Sequence, residues 1–300
     1  MNRNLILEFE DFLNVRNNLS INTKKSYLLD INQIFIYVDN KDIIKWILVE
    51  ENIKNYLYSL EKNNYSNASI SRKISTINLF TKFLYKYKYI DNIIKFDISL
   101  SSKSINKSKD NIIDIFSREE ISSILDFKGN DFLSLRDKSI FEIVYAIGIK
   151  ASDCINLKTD DVNLEIGYIK YKNTSNNYIT TPLNRESLQS LKKYISKRKE
   201  LNLENEYLFL SSSGNSITRQ SFWKIFKKRQ KQLGLKKDLN PTSYRNSLAV
   251  HLLEDGIAPS IVQEILGLKS ILSLKSYINK ADSNKTNKIL SINHPRNKLE

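Results

Sequence analysis

A serine-rich interruption at residues 99–111 limits this chain more than any other feature: Ser99-Leu100-Ser101-Ser102-Lys103-Ser104-Ile105-Asn106-Lys107-Ser108-Lys109-Asp110-Asn111. It holds few apolar groups and no aromatic ring, so it reads as a flexible connection rather than a packed element. Amphipathic runs lie on both sides of it. The expectation is a domain at 1–98, a linker at 99–111 and a second domain at 112–300. A length of 300 residues agrees, since ~100–200 commonly make one domain.

Before the interruption the apolar residues recur at helical spacing. Leu5, Phe9, Phe12 and Leu13 mark one helix. A second, with Asn22 or Thr23 as its cap, carries Tyr27, Ile31, Ile34 and Val38 on one stripe. Residues 41–60 give a weaker third pattern, and Ile70, Ile74, Ile77, Phe80 and Leu84 a fourth, opened by Ser66-Asn67-Ala68-Ser69. Lys24, Lys25, Arg72, Lys73, Lys82, Lys86 and Lys88 are expected on the solvent faces of this helical, basic domain.

The second domain opens with Ser117-Arg118-Glu119-Glu120, a capping box in which Ser117 and Glu120 satisfy each other's orphan amides. Helices are predicted over 118–127, 134–147, 185–199, 219–233, 243–254, 259–266 and 271–279. Tyr168–Tyr171 and Tyr178–Thr181 are rich in β-formers and read as a hairpin across Lys172–Asn177. The fold class is mainly α, with one small antiparallel sheet in the second domain.

Lys and Arg total 47 against 33 Asp and Glu, a formal charge of +14. Such an excess points to a polyanion, because basic side chains displace counterions from a phosphate backbone. The alternative is compositional, since the chain is rich in Lys, Asn, Ile and Tyr and holds only 7 Gly and 4 Pro. One cysteine, Cys154, excludes an internal disulfide and fits a reducing, cytoplasmic setting. Two histidines, His251 and His294, leave no cluster for zinc, so neither a metal nor another cofactor is expected. No apolar run approaches the ~18 residues of a membrane span, and no signal peptide is recognisable at the N-terminus.

Several boxes in the second half carry a resemblance. The segment from Tyr145 to Asp153 (Tyr-Ala-Ile-Gly-Ile-Lys-Ala-Ser-Asp), then Leu157 and Asp160-Asp161, come first. Ile217–Trp223, Thr242-Ser243-Tyr244-Arg245, Ala249–Leu253, Gly256 and Leu266-Gly267-Leu268 follow, and Tyr277 stands nine residues beyond Leu268. In order and spacing this set resembles the tyrosine recombinases, the phage-integrase and Xer-like family. Leu19–Thr23 followed by Tyr27 is similar to the entry into that family's helical core-binding domain.

The resemblance implies a C-shaped clamp on duplex DNA and a chemistry that needs no metal. A tyrosine hydroxyl attacks a phosphodiester, giving a 3′-phosphotyrosyl link that a strand hydroxyl later reverses. A phenol of pKa ~10 is a poor nucleophile at neutral pH, so its surroundings must assist. Two guanidiniums clamp the phosphate oxygens, a hairpin lysine protonates the leaving oxygen, and histidines supply further donors. On this chain Tyr277 and Arg245 stand where expected. Lys150 replaces the first arginine and offers a mobile point charge instead of a fork. Thr242 replaces the histidine of His-x-x-Arg, Leu268 the last histidine or tryptophan, and Asn246 the histidine that often follows the second arginine. Lys172 is the natural hairpin lysine, although it lies about two residues early when counted back from Pro182-Leu183. Asp153 stands where the first box usually has Glu.

DNA contacts are expected from Lys24, Lys25, Arg72 and Lys73, and from the helix carrying Arg219, Gln220, Lys224, Lys227, Lys228, Arg229 and Lys231. His251 is read as a helix-body residue and Cys154 as buried and inert. Ile289, Leu290 and Ile292 in the tail would enter a neighbouring protomer or lie on a frayed terminus. The expected function is site-specific DNA binding with weakened or lost strand cleavage, in a homo- or hetero-tetramer with a recombinase partner. The alternatives are a working recombinase, with Lys269 or Lys275 replacing the donor that Leu268 lacks, and a non-specific basic protein.

Overall fold

The computed structural model describes residues 2–16, 19–39, 42–97, 113–173, 177–268 and 270–293. The chain divides into two compact units, Met1–Asp110 and Asn111–Glu300. The connection expected at 99–111 lies outside the described residues.

The first unit is built from α1 (Asn2–Asn14), α2 (Ile21–Val38), α3 (Ile43–Ile47), α4 (Glu50–Lys62) and α5 (Asn67–Lys86). Ser66 caps α5 through the Ser69 amide, at the polar stretch read as its start. The cap of α2 is Ser20 and not Asn22 or Thr23: its hydroxyl accepts the Thr23 amide at 3.1 Å. The weak pattern over 41–60 is two helices, because Asp42 caps α3 and the chain turns at Leu48-Val49 before α4. Phe9, Phe12, Phe80 and Phe83 pack in stacked, edge-on and tilted pairs, with ring centroids 5.1–6.0 Å apart.

Lys73 corrects the sequence reading. It is 1% exposed, and its ammonium donates to Asp30 Oδ1 at 2.9 Å and to Gln33 Oε1. Thr76 and Arg72 donate to the other Asp30 oxygen. Burying both charges is tolerable only because every partner is supplied from α2 and α5.

The second unit runs α6 (Arg118–Leu125), α7 (Phe132–Ile147), α8 (Ala151–Ile155), β1 (Val162–Asn163), β2 (Tyr168–Lys172), β3 (Tyr178–Pro182), α9 (Arg185–Glu200), α10 (Arg219–Leu233), α11 (Pro241–Glu254), α12 (Pro259–Ile265) and α13 (Lys275–Asn293). The capping box at Ser117 is made in both directions. The sheet is antiparallel in the order β1-β2-β3, with Ile169 opposite Thr181 and Tyr171 opposite Ile179. β1 adds a strand to the expected hairpin. α11 begins earlier than predicted, because Asn240 accepts the Thr242 and Ser243 amides and Pro241 occupies the first turn. The last predicted helix is a 3-10 turn at Ile271–Leu274 followed by α13. Ile289, Leu290 and Ile292 fall on α13 outside the residues whose side chains are described.

Arg229 is a second correction. It is buried beneath the basic face of α10, donating to the carbonyls of Ser123, Ile124 and Asp126 and covering the Phe127 ring at 4.2 Å. The α10 helix is thereby tied to the end of α6. His251 is structural: it is buried, with Nδ1 at 2.7 Å from the Tyr145 hydroxyl. Cys154 is buried, and burial pushes its thiol up. Among the described residues no helix is long and apolar enough to cross a membrane, and no group of three or more His, Cys, Asp or Glu could hold a metal.

Two outcomes follow for stability. Asp30→Ala removes the carboxylate beside the buried Lys73 ammonium and leaves it Gln33 alone as acceptor, so denaturant unfolding of the full chain is expected to lose about 3–5 kcal/mol, the usual cost of breaking a buried pair. Burial first, and then Arg118, hold His251 below its ordinary value in the folded chain. The unfolded imidazole takes a proton near ~6.5. The unfolded state therefore binds more protons as pH drops through that value, and stability falls on acidification. Unfolding free energies measured between about pH 5 and 7.5 are expected to show this slope, and His251→Gln to flatten it.

Candidate active site

Three chain segments meet at Arg245. α7 ends at Gly148 in the left-handed conformation, with φ 58°, which favours glycine. A β-carbon there would lie 2.7 Å from Leu266 Cδ2 and 3.1 Å from Leu248 Cδ2. The turn after α7 is therefore held close to α11 and to the end of α12. The Arg245 guanidinium, one turn into α11, donates to the Gly148 carbonyl through one amino nitrogen and to the Leu266 carbonyl through the other. Two of the fork's five N–H donors are used in this way.

Tyr277 lies in the first turn of α13 and is half-buried. Its ring packs with Leu268 and Ile278 on the cluster of Ala249, Val262, Leu266 and Leu274. Its hydroxyl donates to Asn246 Oδ1 at 2.9 Å, next to Arg245 on α11. Burial pushes the phenol up, and the Arg245 charge opposes that shift. Burial also pulls the guanidinium down, against Tyr277, Tyr171 and Asp153. The Asn246 bond brings the Tyr277 hydroxyl to the residue next to Arg245 on α11.

The remaining expected residues stand at different distances from this pair. Lys150 lies two residues beyond Gly148 at the start of α8; it is half-buried, and its ammonium makes no hydrogen bond or ion pair among the described residues. Thr242 is exposed, one helical turn before Arg245 on α11. Leu268 follows the carbonyl that holds Arg245 by two residues and offers only apolar contact. Lys172 is exposed on β2, with its ammonium 5.6 Å from the centre of the Tyr178 ring. Strand alternation puts it on the opposite face from Tyr171, which is buried and electrostatically coupled to Arg245. The hairpin tip at 174–176 lies outside the described residues.

The sequence reading missed Tyr171 and the bond made by Asn246. Alternation in β2, where Ile169 and Tyr171 alternate with Lys170 and Lys172, is the available signal for Tyr171. Nothing local announces the Asn246 bond, because its partner is 31 residues away.

Of the residues expected at DNA, Lys25, Arg219, Gln220 and Lys228 are exposed. Lys24 is half-buried and donates to the Asn14 carbonyl at 3.0 Å. Lys227 pairs with Asp238. Arg72 is 40% exposed but engages Asp30 and the Ser26 carbonyl. Lys73 cannot reach solvent without breaking its buried pair.

Residues 6–88 match the phage integrase N-terminal SAM-like domain and residues 115–284 the phage integrase family. A tyrosine recombinase XerD of Oceanobacillus iheyensis is 33% identical over 91% of this chain and 92% of its own length. The XerD of Listeria innocua is 30% identical over 91% of this chain and 93% of its own. The fold is shared with the XerH site-specific recombinase bound to a palindromic difH substrate, with a TM-score of 0.70, 19% identity and coverage of 91% of this chain and 80% of that one. A lambda integrase dimer bound to a core site gives a TM-score of 0.68 at 17% identity, covering 92% and 94%. Coverage by the family across both units, together with the meeting of Arg245 and Tyr277, makes this chain a member of the phage integrase family, the tyrosine recombinases of DNA recombination.

Proposed function

We propose that this chain binds duplex DNA at a defined sequence and that its strand-cleavage step is slow. The observation that carries the reading is the Tyr277 hydroxyl bonded to Asn246, next to Arg245 on α11, at a site whose other expected positions hold Lys150, Thr242 and Leu268. Solved relatives with the same fold are bound to DNA, and the +14 charge suits a phosphate partner. Lys25, Arg219, Gln220 and Lys228 are the free side chains best suited to contact phosphates. The chain would act within a DNA-bound tetramer alongside a recombinase partner.

In the cleavage step Tyr277 Oη attacks phosphorus, and the non-bridging oxygens gather charge. Arg245 supplies one fork toward them. Lys150 adds charge without fixed geometry, Thr242 one hydroxyl, and Leu268 no donor. Loss of one preorganised donor typically slows such a step ~10²–10³-fold, and losses within one pocket are not additive. Lys172 would reach the leaving oxygen only by bending around the hairpin from its outer face.

A second reading, a fully working recombinase, is favoured by the retained Tyr277–Arg245 pair. Lys275, exposed at the start of α13, would then supply the missing donor; Lys269 lies outside the described residues. A nicked suicide duplex carrying the site separates the readings. Slow or absent covalent adduct with a sequence-dependent gel shift is expected, and any adduct should vanish in Tyr277→Phe. Rapid adduct formation by the unaltered chain would establish the second reading, and a shift indifferent to DNA sequence would overturn both.

Restoring Lys150→Arg together with Leu268→His is expected to raise the adduct rate about 10²-fold or more, with little change in the gel shift. An unchanged rate would show that these two positions do not limit cleavage.

A further inference from the structure

The phenol that would attack DNA is held by a group unable to accept its proton. Tyr277 Oη donates to Asn246 Oδ1 at 2.9 Å, and Asn246 sits one residue beyond Arg245 on the same helix. The contact joins α11 to α13, so it fixes the hydroxyl relative to the guanidinium. We propose that Asn246 is a positioning residue for Tyr277: its amide oxygen sets where the hydroxyl sits and holds the proton on the phenol. The inference rests on Tyr277 being the nucleophile, as proposed above.

Cleavage forms the Oη–phosphorus bond and breaks the bond from phosphorus to the 5′ oxygen. The phenolic proton must leave, and the 5′ oxygen must gain one from water or a donor. An amide accepts a hydrogen bond but takes no proton near neutrality. With Asn246 in place, the proton passes to water or hydroxide after its hydrogen bond is broken. An imidazole at the same site would accept it directly.

The neighbouring ionisable groups do not remove this constraint. Arg245 lowers the phenol's proton affinity but has no acceptor. Tyr171 on β2 and Asp153 on α8 act on that same guanidinium. Farther along α11, His251 is bonded to Tyr145 and Glu254 to Asn284. Glu264 on α12 and Lys275 on α13 are exposed, and Lys280 on α13 is half-buried. Among the described residues, the Tyr277 hydroxyl is hydrogen-bonded to Asn246 and to no ionisable group.

The test uses the full chain labelled with ¹³C at tyrosine Cζ, the Tyr277 resonance being assigned by its loss in Tyr277→Phe. A hydrogen bond to the neutral phenol opposes ionisation. Asn246→Ala is therefore expected to raise the Tyr277 ionisation constant by about threefold to tenfold, the equivalent of one ordinary hydrogen bond. Asn246→His is expected to add an inflection in the neutral range. Midpoints unchanged in both variants overturn the proposal.

A second arm times the covalent adduct on a nicked duplex. In the unaltered chain its rate is expected to climb steadily with pH. In Asn246→His it is expected to be about 10²-fold faster at pH 7 and to level off above the imidazole's titration. A purely structural role for Asn246 would leave the shape of the pH profile unchanged, and that result overturns the inference. If no protein forms an adduct, the NMR midpoints alone decide it. Failure of the unaltered chain to bind DNA would sink the proposed function, and the midpoints would still decide whether Asn246 holds the Tyr277 proton.

Discussion

The candidate site depends on one half-buried guanidinium. Arg245 spans carbonyls 97 and 21 residues away, at Gly148 and Leu266. It thereby ties the turn after α7 and the turn after α12 to the body of α11. Each tied segment carries a residue of the candidate site: Lys150 beyond the first, Leu268 beyond the second, and Thr242 and Asn246 on α11 itself. A guanidinium taken from water needs its donors satisfied, and backbone carbonyls do this without competing for charge. The Lys150 and Leu268 backbones are therefore set by the architecture before any phosphate arrives, whatever side chains those positions carry.

Local signals in the sequence matched the structure where both halves of an interaction lie within a few residues. Ser117 and Glu120 announce their capping box because each satisfies the other across three residues. Ser66 likewise starts α5. The start of α2 was misread because Ser20, Asn22 and Thr23 are all competent caps within four positions, and side-chain chemistry alone does not choose among them. β1 is two residues long, too short to show alternation.

Buried cations were the larger failure, and their cause is distance along the chain. Lys73 and Arg229 each sit among other basic residues and read as solvated charge. Their partners, Asp30 43 residues away and the carbonyls near Ile124 about 105 away, become visible only when helices pack. The same reason hid Asn246. The Arg245–Tyr277 pair was legible only through the ordered boxes and their spacing, since neither residue has a local signal of its own.

The altered positions bear on rate and affinity differently. A basic surface draws a phosphate backbone through counterion release, which asks for charge but not for a fixed fork. Lys150 would still meet that demand in the proposed site, because a flexible ammonium attracts a phosphodiester before and during attack alike. An interaction equally strong in both states binds DNA without lowering the barrier. A planar fork differs by fitting the oxygens as charge builds on them, and a donor at the Leu268 position would act at the same moment. On the proposed reading, the replacements at this site fall on contacts that would matter most in the transition state, while the charge that would hold DNA in the ground state is kept. Under the proposed function, binding and cleavage would be separable for a physical reason: one depends on the number of positive charges, the other on their direction.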